Sequence, residues 1–249
     1  MPRTIDEKQQ IEIEHWRDSQ QESPDADSIH NIINKMTEAA IVLDCFERHR
    51  EELSTNGRVL ELGGGQGWAS CIYKKLFPDA HVTATDISSF AVASLPKWED
   101  ILHVKIDNSY PCKSYETKEA EETLDLVFCF AAAHHFLAHK RTMQEISRIL
   151  KPGGRAIYFY EPATPRYLYP LAYKRVNGKR PEVPEDVLIT NELQILSKSL
   201  GLDVQIDYYP SLIHRRPFET LYFYILNKLP FLQSKVPCTA NFIFRKSPQ

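Results

Sequence analysis

Val59-Leu60-Glu61-Leu62-Gly63-Gly64-Gly65-Gln66-Gly67 is the stretch that decides the fold. A short apolar run ends beside an acid, and four glycines follow within five positions. Glycines let a backbone turn tightly and approach a ligand with no Cβ in the way. A helix is expected over residues 68–77, stopped by Pro78. Its first turn would aim free N–H groups and the positive dipole end at whatever the loop holds.

The glycine register narrows the choice of ligand. A dinucleotide fingerprint asks for GxGxxG. Counting from Gly63, the last glycine of that pattern falls on Trp68, which is too large for close helix–strand packing. The spacing is instead Gly63-x-Gly65-x-Gly67, and no GKS or GKT follows, so a P-loop is excluded. Asp86 ends the next apolar run, Val82-Thr83-Ala84-Thr85-Asp86-Ile87. An acid at the carboxyl end of that strand can accept hydrogen bonds from both ribose hydroxyls of a nucleoside. A turn or helix-cap aspartate is the competing reading.

Outward from the loop, short apolar runs alternate with helical stretches. Strands are expected over 58–62, 81–85, 101–106, 124–130, 155–160, 202–208 and 239–244, and further helices over 137–150 and near 191–200. This rhythm implies a mainly parallel sheet covered on both faces, an α/β class. Residues 1–56 read as an N-terminal helical cap and 57–249 as the main domain, with insertions at 162–190 and 210–237. The helical spacing of Ile29, Ile32, Ile33, Met36, Ala40, Leu43 and Phe46 marks the cap. Within 218–232, Leu221, Tyr222, Ile225, Leu226 and Leu229 are expected to form one helix face.

Composition excludes several classes. The 249 residues are 43% apolar and 25% charged, as in ordinary globular proteins. A net charge of −3 gives no global pull toward nucleic acid. No stretch of about 18 apolar residues is present to span a membrane. The opening residues lack the apolar run of a secretory signal, so a cytoplasmic location is expected. The five cysteines show no CxxC spacing and read as reduced thiols, with no metal site expected.

In this order the elements resemble class I S-adenosylmethionine-dependent methyltransferases, in the small-molecule branch related to ubiquinone-pathway enzymes. Residues 59–67 resemble their first motif and Asp86 their ribose-binding acid. Leu124-Asp125-Leu126-Val127-Phe128-Cys129-Phe130 with the following Ala131–His135 segment resembles the fourth-strand motif. Leu150-Lys151-Pro152-Gly153-Gly154 resembles the turn before the fifth strand. The resemblance implies a Rossmann-like, seven-stranded, mostly parallel sheet of order 3-2-1-4-5-7-6 with strand 7 antiparallel. It implies S-adenosylmethionine as cofactor. Glu61 would reach the methionine amino group, and Gly63, Gly65 and Gly67 would line the loop. Asp86 and Ile87 would flank the ribose, Asp107 and Asn108 the adenine, and Phe130 or Ala131 the sulfonium.

The chemistry then needs an acceptor aligned with the methyl, water excluded and, for a hydroxyl, a proton removed. His134 and His135 follow the fourth strand, and histidine titrates near neutrality. Glu161 ends the fifth strand and is read as an orienting group or as the base itself. Arg166, Tyr169, Tyr173 and Arg175, with Lys179 and Arg180 beyond them, suit a carboxylate or phosphate, so an anionic, sugar- or lipid-linked acceptor is expected. No Asn/Asp-Pro-Pro-aromatic motif follows strand four, which disfavours nucleic-acid methylation. The leading reading is O-methylation of a small molecule by a monomer or homodimer. The alternatives are a cofactor-binding protein without methyl transfer, or a protein methyltransferase. The 218–232 segment is a candidate for peripheral membrane contact.

Overall fold

In the computed structural model, residues 4–20, 22, 23, 26, 28–178, 185–213 and 215–248 are described. The elements in chain order are α1 (Ile5–Asp18), α2 (Ile29–Arg48), β1 (Arg58–Glu61), α3 (Trp68–Leu76), β2 (His81–Asp86), α4 (Ser89–Val92), α5 (Leu95–Leu102), β3 (Asn108–Pro111) and β4 (Leu124–Phe130). They continue with α6 (His139–Ile149), β5 (Leu150–Thr164), α7 (Tyr169–Asn177), β6 (Leu188–Ile189), α8 (Thr190–Ser199), β7 (Leu202–Tyr208), α9 (Pro217–Lys228) and β8 (Cys238–Lys246).

The strands form one sheet of order β3-β2-β1-β4-β5-β8-β7, and the two-residue β6 pairs with β5 off that path. Without β6 this is the expected order; with it the sheet has eight strands, not seven. All pairings are parallel except those of β8, which runs antiparallel to β5 and β7. β4 sits at the centre because its side chains are apolar on both faces, and all but Asp125 are buried. Alternate residues point to opposite faces, so the sheet divides the core in two. Val59, Val82, Leu126, Phe128, Ile157 and Phe159 join one cluster, under α2, α3 and α5. Leu60, Val127, Cys129, Tyr158, Phe242 and Phe244 join the other, under α6 and α8. On α6 the residues Thr142, Met143, Ile146 and Ile149 make the inward stripe.

One expected strand needs correction. No strand runs over 101–106. The alternation Leu102, Val104, Ile106 imitates one, but α5 ends at Leu102 and His103 caps it in the left-handed region, φ 50°. The third strand is the polar Asn108–Pro111. Within residues 162–190, β5 extends to Thr164, and α7 and β6 follow. Lys179 and Arg180 lie outside the described residues. On α9 the inward residues are Phe223 and Leu226, whereas Leu221, Ile225 and Leu229 face solvent.

The carboxyl end of the sheet is locally irregular. Ala131 and Tyr160, just after β4 and within β5, adopt φ of 47° and 58°. Such angles cost energy in non-glycine residues and concentrate at functional sites. The register of β5 against β8 shifts between Tyr158 and Glu161. The Tyr160 N–H freed there donates to Oδ1 of the buried Asn241, at 2.9 Å.

Candidate active site

The loop after β1 is held by backbone bonds that reach the next strand. Gly64 N–H donates to Thr85 O at 2.8 Å, and Gly65 N–H donates to Asp86 Oδ2 at 2.9 Å. Gly63, Gly65 and Gly67 have φ of 66°, 54° and 79°, the left-handed region that favours glycine. A Cβ on Gly67 would stand 2.6 Å from Leu95 Cδ1. Gly67 thus shapes the turn into α3 and does not itself face the cavity described next.

That cavity, about 310 Å³, opens at the carboxyl ends of β1, β2 and β4. A volume of this order suits a small-molecule or cofactor site. Gly63, Gly65, Asp86, Ile87, Phe130, Ala131, His134 and His135 all line it. Gln9, Glu12 and Trp16 of α1 line it from above, so the N-terminal helix covers the loop. The Trp16 ring lies so close that a Cβ on Gly65 would come within 3.0 Å of it. The buried Gln66 binds cap to loop. Its Oε1 accepts from Asn31 Nδ2 at 3.1 Å and Trp98 Nε1 at 2.9 Å, and its Nε2 donates to Glu22 O at 2.8 Å.

Two expected cofactor contacts fall elsewhere. Glu61 is buried beneath the loop, where its Oε2 accepts from the Ser70 N–H at 3.0 Å and from the Ser70 hydroxyl. It fixes the first turn of α3 and does not line the cavity. Asp107 and Asn108 stand at the amino end of β3, the wrong end of the sheet. Asp107 accepts from Lys74 Nζ at 2.9 Å and from the Val82 N–H at 2.8 Å. The positions that β3 does deliver to the cavity are Cys112 and Ser114.

His134 and Glu161 come together. Glu161 is fully buried; its Oε1 accepts from the Ala132 and Ala133 N–H groups at 2.8 and 2.7 Å. Its Oε2 accepts from the His134 N–H at 3.2 Å and lies 2.8 Å from His134 Nδ1. With the Cys129 thiol also donating to Oε1, five hydrogen bonds leave Glu161 no free edge toward an acceptor, so it is an orienting group and not the base. With Nδ1–H donated to a carboxylate, the lone pair of His134 is on Nε2. Burial alone would lower the His134 pKa, but the Glu161 hydrogen bond and charge, with Glu185 and Glu12 nearby, raise it above its usual value.

Two acids that sequence reasoning missed complete the cluster. Asp186 N–H donates to His134 O at 2.9 Å, which draws the connection after α7 across the site and brings Glu185 to the cavity. One ligand atom each of His134, His135 and Glu185 lie within 4.8 Å of one another. Glu12 Oε1 of α1 is 3.9 Å from His135 Nδ1. Burial, then the charges of Asp86 and Glu185, push the Glu12 carboxyl up to about 8. Burial likewise lifts Asp86 to about 6.

The expected acceptor-binding group disperses. Arg166 and Tyr169 line a second cavity of about 480 Å³ with Asp186 and Glu192. There Arg166 pairs with Glu192, and Tyr169 Oη donates to Asp186 Oδ1 at 2.9 Å. Arg175 pairs with Glu219 at 2.9 Å, and Tyr173 is exposed. Neither arginine is a free anion-binding arm, since each already faces a carboxylate.

The residues present fit S-adenosylmethionine. The glycine cradle leaves no room for a Cβ beside Ala132 and Phe136, each 3.1 Å away at Gly63. Asp86 uses one acceptor site per oxygen on Gly65 and Ser88 N–H groups and retains others for hydroxyls. The surplus of buried carboxylates suits a cationic ligand.

Comparisons agree. Residues 60–158 match the methyltransferase domain family. A malonyl-[acyl-carrier protein] O-methyltransferase of Bacillus anthracis is 30% identical over 132 residues, 53% of this chain and 46% of that relative. The chain thus matches less than half the length of this curated relative. Geranyl diphosphate C-methyltransferase of Streptomyces coelicolor A3(2), solved with Mg2+, geranyl-S-thiolodiphosphate and S-adenosyl-L-homocysteine, superposes with a TM-score of 0.65 at 14% identity, over 84% of this chain and 76% of that one. Phosphoethanolamine N-methyltransferase 2 of Haemonchus contortus, solved with S-adenosyl-L-methionine, gives 0.61 at 15% identity, over 95% and 60%. The family match thus places a methyltransferase domain at residues 60–158, on the Rossmann-like fold that these solved methyltransferases share.

Proposed function

We propose that the chain transfers the methyl group of S-adenosylmethionine to a hydroxyl oxygen of a small or lipid-linked acceptor. The observation that carries this is the Glu161–His134 pair at the cavity wall, with His134 Nε2 left to take a proton. The cofactor supplies an electrophilic methyl on its sulfonium. Asp86 would accept from the ribose hydroxyls, with the lone pairs that Gly65 and Ser88 leave free. α1, through Trp16 and Glu12, covers the site and excludes water. His134 would receive the hydroxyl proton as the oxygen–methyl bond forms and the methyl–sulfur bond breaks, leaving a neutral thioether, and Glu161 would stabilise the resulting imidazolium.

The acceptor's reacting end is neutral on this reading. Glu12, Glu22, Glu38, Asp86 and Glu185 line the cavity, and the lysine among the lining, Lys35, is 3.4 Å from both Glu22 and Glu38. An anion would meet net negative charge. The O-methyltransferase name of the Bacillus relative supports oxygen over nitrogen or carbon.

Calorimetric titration with S-adenosylmethionine tests the cofactor half. One site is expected, and Asp86→Ala should weaken it by at least about tenfold, the effect of losing charge-assisted hydrogen bonds. Glu12 and Asp86, raised by burial, favour their protonated forms in the free protein. Their contribution to stability is full below the ordinary carboxylate range and is lost as pH rises through about 6 to 8. A cationic ligand reverses that preference, so binding should release protons and tighten across the same window. Affinity flat from pH 6 to 8, with identical heats in buffers of different ionisation enthalpy, would contradict the assignment of these carboxyls.

A further inference from the structure

Among the described residues, the outer face of α9 is left exposed. Phe218 is 91% exposed, and Leu221, Tyr224, Ile225 and Leu229 are exposed beside it. At 3.6 residues per turn these positions fall within an arc of about 140°. Phe231, in the turn that follows, is 62% exposed. A contiguous apolar face of this kind marks an interaction surface.

Charge says what covers it. Residues 166–178 and 215–237 together hold seven basic side chains and one acid, Glu219, in a chain whose net charge is −3. The acid is already paired with Arg175, and that pair ties α7 to α9. Arg216, Lys228, Lys235 and Lys174 are all exposed. Lys228 stands over the Tyr224 ring and Lys235 over Phe231, so the cations border the aromatic groups themselves. A two-fold contact between copies would bring the same basic rim against itself. Aromatic and aliphatic side chains edged by lysine and arginine instead match an anionic lipid surface.

We propose that the α9 face docks this protein on an anionic membrane leaflet, lying in the interface. No helix among the described residues is long and apolar enough to cross a membrane, so the contact is peripheral. The face is joined to the cavity wall. Phe223, on the inward side of α9, packs 4.0 Å from the Arg215 guanidinium. Arg215 donates to Tyr160 Oη at 2.7 Å, and Tyr160 stacks on Phe130, which lines the cavity. Docking therefore brings the cavity to the lipid surface, where a lipid-linked acceptor is presented. The surface stands on its own side chains and does not depend on methyl transfer.

The test is sedimentation of the full chain with vesicles of phosphatidylcholine alone or with added phosphatidylglycerol. Binding to the anionic vesicles should exceed that to neutral ones by at least about tenfold and fall at high salt. Phe218→Ser with Leu221→Ser, and separately Lys228→Glu with Lys235→Glu, should each reduce binding by about tenfold or more. Both pairs should leave S-adenosylmethionine affinity and thermal unfolding unchanged, since these side chains are exposed. Equal binding to both vesicle types, or none, overturns the proposal. A concentration-dependent dimer seen by light scattering and abolished by Phe218→Ser assigns the face to a second copy and also overturns it.

Discussion

A His134→Asn variant is expected to bind S-adenosylmethionine as the parent does and to transfer methyl groups about 10²–10⁴-fold more slowly, the usual range for a lost general base. The asparagine amide reaches where Nδ1 stood, so it still donates to Glu161 and the loop after β4 keeps its shape. What disappears is the Nε2 lone pair. The pH profile adds a second readout. The parent needs neutral His134, whose pKa is raised because Glu161 outweighs burial. Its rate should therefore climb with pH along a limb centred above the ordinary histidine value of 6.5. The variant should lack that limb. Unchanged turnover in His134→Asn would remove the base from the mechanism and leave cofactor binding intact.

Glu161→Ala should cost about 3–5 kcal/mol of stability, the effect of removing one partner from a buried charged pair. The lost carboxylate serves the N–H groups of Ala132, Ala133 and His134 and the His134 ring. Their burial leaves little access to replacement water. Since whole domains hold about 5–15 kcal/mol, the midpoint of urea unfolding should move by a large fraction of its parent value. Glu161→Gln separates folding from chemistry. Its carbonyl oxygen can still accept from Ala132 and Ala133, but its NH₂ would face two donors of His134. The ring is then expected to present Nδ1 as acceptor and carry its proton on Nε2. Stability should fall less than in the alanine variant, while transfer falls nearly as far as in His134→Asn. Parent-like unfolding of Glu161→Ala would contradict the geometry around β4 and β5.

How much of this the sequence carried depended on whether a signal was local. The glycine loop and Asp86 are local: turn chemistry and one strand end place them, and both stand at the cavity. The β4 run is equally plain because a central parallel strand is apolar on both faces. β3 was misread because Asn108-Ser109-Tyr110-Pro111 is a polar edge strand, while the last residues of α5 and its cap alternate like a strand. That slip moved the adenine assignment to Asp107 and Asn108, one strand length from the cavity. Which face of α9 turns inward was not legible either. Its apolar residues run almost all round, so no polar stripe marks the outside.

The site's long-range pairings left no local trace. His134 and Glu161 are 27 residues apart and meet because β4 and β5 are neighbours. Glu12 arrives on a cap helix and Glu185 on a connection, and neither carries a motif. The basic cluster after β5 was legible as charge but not as structure. Arg166 and Arg175 found carboxylates on α8 and α9.

The most direct test of the central claim is transfer of label from methyl-labelled S-adenosylmethionine to a combined lipid and metabolite extract, counted separately in organic and aqueous phases. The account predicts label in a non-protein fraction, stable to base as a methyl ether is, formed by the parent and reduced about 10²-fold or more by His134→Asn. Label confined to protein, or label transfer equal in parent and variant, would contradict it.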